Sequence, residues 1–159
     1  MEAIYRDVVA LVEHVHRQFL DVVKLELEAH GLHDINNVQA LMLFDIGDSE
    51  MTMGEVSLRG GHIASHATYN VKKMVDVGYL QQMRSPYDRR SVRVRLTDKG
   101  EALRDKIACM HETHLATLQA RSVRPEDLAV ARRILRRLDR FWTQLIERSP
   151  RFLETSTAA

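Results

Sequence analysis

Asp88-Arg89-Arg90 sits in a stretch that also contains Arg84, Arg93 and Arg95, so guanidinium groups are concentrated over a dozen residues. Val92, Val94 and Leu96 alternate with Arg93 and Arg95, which gives an extended segment one apolar and one basic face. Tyr79 to Met83 can pair with it, and Ser85-Pro86-Tyr87-Asp88 supplies turn residues between the two. The pattern predicts a hairpin tipped by Asp88, Arg89 and Arg90. A guanidinium on a projecting turn suits a DNA minor groove, where negative potential is concentrated. Asp88 fits there by orienting a neighbouring arginine through a charge-assisted bond. Arg84, Arg93 and Arg95 then line the flanks.

A second basic element precedes the hairpin. At 100° per residue, Ala67, Val71, Met74 and Val75 fall on one side of a helix over roughly 64–77. Ser65, His66, Tyr69, Lys72 and Lys73 fall largely on the other. Helices enter the major groove and read base edges with their N-terminal residues. Ser65, His66, Thr68 and Tyr69 are therefore assigned to base or near-base contact, and Lys72 and Lys73 mainly to phosphates. An ordinary amphipathic helix with a solvated polar face would show the same pattern, and the hairpin tips the balance toward nucleic acid. The charge distribution agrees. The formal net charge is only +1, but residues 1–58 carry three Lys/Arg against eleven Asp/Glu. Residues 59–95 carry eight against two. A basic middle in a nearly neutral chain marks a local polyanion footprint.

These residues need a scaffold, and helical periodicity supplies one. Ile4, Val8, Leu11, Val12, Val15, Phe19, Val22 and Val23 build one apolar face on a long first helix that stops near Gly31. Asn36 with Gln39 forms a capping-box pattern that opens a short helix ending at Gly47, and Thr52 with Glu55 repeats it for a third through about Leu58. Gly60-Gly61 allows a turn before the fourth helix, which Gly78 closes. Thr97 caps a fifth helix to about Ala120, and Pro125 starts a sixth that runs to Ser149-Pro150. The expected fold is mainly α with a small β-hairpin wing: a winged helix-turn-helix flanked by N- and C-terminal dimerisation helices. One domain is expected over 1–150, with the DNA-binding part at about 36–97, helices over 1–31 and 98–148, and a flexible tail over 151–159.

Asp88-Arg89-Arg90-Ser91-Val92-Arg93-Val94-Arg95-Leu96-Thr97-Asp98-Lys99-Gly100 resembles the D-R-R…L-T-x-x-G signature of the MarR family of bacterial regulators. Met74-Val75-Asp76-Val77-Gly78-Tyr79-Leu80 resembles that family's exit into the wing, and helix order agrees from about Ile4 to Ile146. Thr68 to Lys73 and Asn36 to Leu41 are most similar to LdtR-type regulators within it. Asn70 departs from the pattern by standing where the family has an apolar residue, and Gly60-Gly61 loosens the turn before the recognition helix. The resemblance implies a homodimer built from the first, fifth and sixth helices, set on a pseudopalindromic operator in double-stranded DNA. Phe141, Trp142, Leu145 and Ile146 independently give the sixth helix a large apolar face; closure of an intramolecular bundle would use the same face. The resemblance further implies a small phenolic or lipophilic effector, with His14, Phe19 and Met42 as candidate lining residues.

Other chemistry finds little footing. His111 with His114, and His62 with His66, have helical spacing for a metal, but no acidic or cysteine ligands complete a four-coordinate set. No metal and no cofactor is therefore expected. The phosphate loop, His-Glu-x-x-His and nucleophile-elbow patterns are missing, which argues against an enzyme. The single Cys109 excludes an internal disulfide and fits a reducing cytoplasm. No apolar run approaches the ~18 residues of a membrane helix. A sequence-tolerant architectural DNA-binding protein and a dimeric interaction module remain the alternatives.

Overall fold

The computed structural model describes residues 1–59, 64–84 and 92–148, and for Ala64, Ser65 and Arg84 the backbone alone. In chain order the elements are α1 (Glu2–Ala29), α2 (Asn37–Ile46), β1 (Met51–Thr52), α3 (Met53–Arg59), α4 (Ala64–Asp76), β2 (Leu80–Arg84), β3 (Val92–Leu96), α5 (Asp98–Ala120) and α6 (Pro125–Glu147). The chain divides into two units, Met1–Glu112 and a second from Thr113 onward. The expected tail over 151–159 lies outside the described residues.

In the first unit, α2 is the hub. It is apolar round most of its circumference, the pattern of a helix enclosed on several sides. Ala40, Met42, Leu43 and Ile46 are all buried, alongside Val23 and Leu27 of α1. Its start is a capping box in which Gln39 N donates to Asn36 Oδ1 (2.9 Å) and Asn36 N donates to Gln39 Oε1 (3.1 Å). The same motif starts α3: Glu55 N donates to Thr52 Oγ1 (3.3 Å), and Thr52 N donates to Glu55 Oε2 (2.7 Å). The Thr52 backbone N–H, aided by the Thr52 hydroxyl, which also donates to Glu55 Oε2 (2.9 Å), holds the Glu55 carboxyl below its usual range. Ala67, Val71 and Met74 seat α4 on the core, with Val75 packed at its margin.

The sheet has three antiparallel strands in the order β1-β3-β2. β2 and β3 pair as expected, with Leu80 opposite Leu96 and Gln82 opposite Val94. β1 was not foreseen. Its two residues pair with β3, Met51 opposite Val94 and Thr52 opposite Arg93, so Thr52 both ends a strand and caps a helix. Two residues are too few for an alternating pattern to register. The expected apolar face of β3 holds at Val94 and Leu96, while Val92 is exposed toward the hairpin tip.

The corner where α4, β2 and α5 meet gives Leu96-Thr97-Asp98-Lys99-Gly100 a physical meaning. Gly78, at φ +80°, lets α4 end with Tyr79 N donating back to Met74 O (2.8 Å). The Thr97 hydroxyl donates to Gly78 O (2.6 Å) and accepts from Gly100 N (3.2 Å), which ties the start of α5 to the end of α4. Lys99 Nζ lies 4.1 Å from the Tyr79 ring centroid and donates to Val77 O (2.9 Å) and Asp34 Oδ2 (2.6 Å). The Tyr79 hydroxyl donates to the other oxygen of Asp34 (2.8 Å). Hydrogen bonding by Lys99, aided by Tyr79, holds the Asp34 carboxyl below its ordinary value; burial and the Asp34 charge push the Tyr79 phenol upward. This cluster joins the α1–α2 connection to the root of the hairpin. Arg104 of α5 adds ion pairs with Asp48 and Asp105.

The second unit holds the end of α5 from Thr113, the α5–α6 turn and α6. Ser122 takes φ +67°, with Val123 N donating to Leu118 O (3.1 Å). Asp127 accepts from Arg124 N (3.1 Å) and from both sides of its guanidinium. α6 buries no residue. Leu128, Ile134, Leu135, Phe141, Leu145 and Ile146 are all exposed along one side, opposite Arg132, Arg133, Arg136, Arg137 and Arg140. The front half of α1 is similarly uncovered at Ile4, Leu11 and Val15.

Candidate nucleic-acid interface

The sorting of α4 into two faces is the central geometric fact. Ala67, Val71 and Met74 are at most 1% exposed, so the helix is keyed into the core. His66, Thr68, Tyr69, Lys72 and Lys73 are all exposed. Tyr69 is 62% exposed, and Lys73 Nζ lies 5.9 Å from its ring centroid, so an aromatic surface and a cation share one patch. Ser65 is in the first turn of α4, with its backbone alone described. On α3, Leu58 is 84% exposed beside Arg59, an apolar group that sequence reasoning had not singled out. Gly60-Gly61, between the two helices, lies outside the described residues.

The hairpin places Arg93 and Arg95 on one face, opposite Met83 and Gln81. Arg95 is exposed and Arg93 half-buried in the middle strand. With its amide oxygen turned toward the neighbouring strand, Gln81 accepts from Arg95 Nε (2.8 Å) and Nη2 (3.2 Å). Arg84 continues β2 toward the tip. Asp88, Arg89 and Arg90 lie outside the described residues.

The candidate effector residues occupy different environments. Met42 is a core residue at 1% exposure, and His14 is exposed on α1. Phe19 is half-buried against His111, with ring centroids 6.1 Å apart and nearly parallel. The same imidazole meets Phe44 edge-on at 4.9 Å, so His111 sits between two aromatic rings. Among the described residues no three His, Cys, Asp or Glu converge as metal ligands. No helix among them is long and apolar enough to cross a membrane.

Asn70, the departure from the family pattern, has a clear local role. Its Oδ1 accepts from Gln39 Nε2 at 3.2 Å, which links α4 to the capping box of α2. Asn37 Nδ2 donates in turn to Leu20 O of α1 (2.8 Å). Sequence spacing carries no signal for such a pair, which is 31 residues apart.

Residues 35–100 match the family model described as a winged helix DNA-binding domain. The chain is 34% identical over 99 residues to the exopolysaccharide II synthesis transcriptional activator ExpG of Rhizobium meliloti (strain 1021), covering 62% of this chain. It spans about half the length (51%) of that curated relative. Among solved structures, it resembles Streptococcus pneumoniae FabT in complex with DNA (TM-score 0.72, 22% identity, 89% of this chain and 99% of that one). It also resembles Staphylococcus aureus MarR in complex with salicylate and kanamycin (TM-score 0.72, 19% identity, 90% and 95%). The fold, mostly helical with a three-stranded wing sheet, is that of the MarR-family regulators.

Proposed function

We propose that this protein is a non-enzymatic, DNA-binding transcription regulator that acts as a homodimer on a pseudopalindromic operator. The observation that carries the reading is the two-faced α4. Its apolar side is buried in the core of a winged helix domain, and its other side presents His66, Thr68, Tyr69, Lys72 and Lys73 together. In this reading Ser65, His66, Thr68 and Tyr69 reach base edges in the major groove, and Lys72 and Lys73 hold phosphates. Arg84, Asp88, Arg89, Arg90 and Arg93 form the wing contact to the adjacent minor groove. FabT, similar in fold, was solved with DNA, and ExpG is named as a transcriptional activator.

What supports the dimer in this reading is apolar surface that a single chain leaves uncovered. α6 exposes Phe141 (49%), Leu145 (53%) and Ile146 (58%), and α1 exposes Ile4 (68%) and Leu11 (59%). Each helix thus leaves large apolar side chains in solvent, as protein interfaces do before they pair. A small lipophilic or phenolic effector that favours one spacing of the two winged helices would shift operator affinity. Staphylococcus aureus MarR, alike in fold, was solved with salicylate. Footprinting on the protein's own promoter region tests the reading. Two protected half-sites about one helical turn (~34–36 Å) apart are expected; uniform protection without half-sites would contradict it.

A further inference from the structure

We infer that Asn70 is a positioning residue for DNA discrimination: through Gln39 it fixes the roll of α4 about its own axis. The inference rests on the regulator reading above and deepens it by separating what sets the helix pose from what touches DNA. The core face of α4 is Ala67, Val71 and Met74, all apolar and at most 1% exposed. Apolar packing is non-directional, so by itself it holds a helix against its neighbours more firmly than it fixes its rotation. Asn70 stands at the seam, half-buried, one residue after Tyr69 and four after His66. Its Oδ1 takes a hydrogen from Gln39 Nε2 (3.2 Å), and Gln39 is only 7% exposed.

Gln39 is a firm anchor because its other amide atom is already committed. Its Oε1 accepts from Asn36 N (3.1 Å), while its own backbone N donates to Asn36 Oδ1 (2.9 Å). The adjacent Asn37 is fastened to Leu20 O of α1 (2.8 Å). A continuous set of directional bonds therefore runs from α1, through the start of α2, to one edge of the recognition helix. Between α2 and α4 it supplies a directional element that apolar contacts lack.

The geometry makes roll matter. With side-chain tips ~6 Å from a helix axis, a rotation of about 10° moves them by about 1 Å. That exceeds the width of the N–H···O window of about 2.7–3.2 Å. Short side chains (Ser65, Thr68) or stiff planar ones (His66, Tyr69) reading base edges have little freedom to absorb the change. The long, flexible Lys72 and Lys73 can keep their phosphates. Loss of the Asn70–Gln39 bond should therefore degrade discrimination while leaving the non-specific electrostatic term intact.

Asn70→Ala removes the acceptor with a strong helix former, and Asn70→Asp retains an acceptor for Gln39. Full-length wild type and both variants are titrated with operator DNA and random duplex of equal length, at two salt concentrations. For Asn70→Ala the operator-over-random ratio is expected to fall by about tenfold or more, the scale of one lost base readout. Its random-DNA affinity and salt slope should stay at wild-type values. Asn70→Asp should lower both affinities through its charge while keeping the ratio. A wild-type ratio in Asn70→Ala, or equal losses on operator and random DNA, would overturn the inference. If wild type itself shows no operator preference, the regulator reading fails first. Backbone amide spectra without DNA then decide the positioning claim: shifts over residues 64–76 support a changed roll, and shifts confined to the neighbours of Asn70 overturn it.

Discussion

Replacing Gly100 by alanine sets two well-understood effects against each other at one atom. Gly100 is the third residue of α5, where alanine would ordinarily stabilise by about 1 kcal/mol over glycine. Here a Cβ would run into the Tyr79 carbonyl oxygen, well inside the 3.0 Å that real Cβ atoms essentially never breach. It would also lie 3.2 and 3.3 Å from Leu96 Cγ and Cβ. Neither neighbour can yield easily. The Tyr79 carbonyl already accepts from Thr97 N (3.1 Å), and Leu96 is a core residue at 6% exposure. Relief requires α5 to lift from the α4–β2 corner, stretching the bonds made by Thr97. Overpacking costs ~1–3 kcal/mol, and an overlap with a backbone atom belongs at the upper end, so after the helix-propensity gain the net expectation is destabilisation by up to about 2 kcal/mol. The assay is urea unfolding at fixed protein concentration, with Gly54→Ala as control. A Cβ at Gly54 meets only Thr52 Oγ1 at 4.0 Å, so that variant should be neutral or more stable. If Gly100→Ala matches or exceeds wild-type stability, the close approach assigned to the Leu-Thr-x-x-Gly segment is wrong.

Further expectations concern stability, assembly and the wing. Asp34 has a carboxyl depressed mainly by its hydrogen bond from Lys99, so its stabilisation is present above the ordinary value of 3.8 and disappears as pH falls through the lower folded value. The difference in urea midpoint between wild type and Lys99→Met should therefore be larger at pH 7 than at low pH, where only the Lys99 contacts to Val77 O and the Tyr79 ring remain; a difference that persists unchanged at pH 2 would contradict the pairing. Both partners are over 40% exposed, so high salt should also shrink it. Ser122→Gly relieves a positive φ and should stabilise by roughly 0.5–1 kcal/mol in the same assay, an increase that must be absent if the turn takes another conformation. Leu145→Glu, on the exposed face of α6, should yield monomers in sedimentation; persistence of the wild-type mass would remove α6 from the dimer. Arg90→Ala should weaken operator binding with the thermal transition unchanged, and undiminished affinity would dismiss the wing contact.

Local signals carried most of the architecture. The capping pairs Asn36/Gln39 and Thr52/Glu55, the stop at Gly78 and Pro125 at a helix start are all short-range chemistry, and each falls where an element begins or ends. The two-faced pattern of α4 was legible because a 3.6-residue period records which side is buried. What sequence could not disclose depends on the tertiary path. β1 has only two residues and exists because β3 has an open edge beside Met51 and Thr52. Asn70 looked anomalous on its own helix and becomes intelligible only with Gln39 beside it. Lys99, Asp34 and Tyr79, spread over 65 residues, form one cluster that no spacing rule encodes. Met42, a candidate lining residue, is 1% exposed because α2 is enclosed on several sides, a tertiary fact that its spacing does not record.

Competitive binding of the full-length protein to its promoter DNA and to scrambled duplex, at two salt concentrations, tests the central claim most directly. A regulator that reads bases through α4 and the wing should prefer its operator by at least ~10³-fold, and its affinity should fall with salt as phosphate contacts are screened. Steeply salt-dependent binding with equal affinity for both duplexes would instead identify a sequence-tolerant DNA-binding protein, and absence of binding to either would contradict the account altogether.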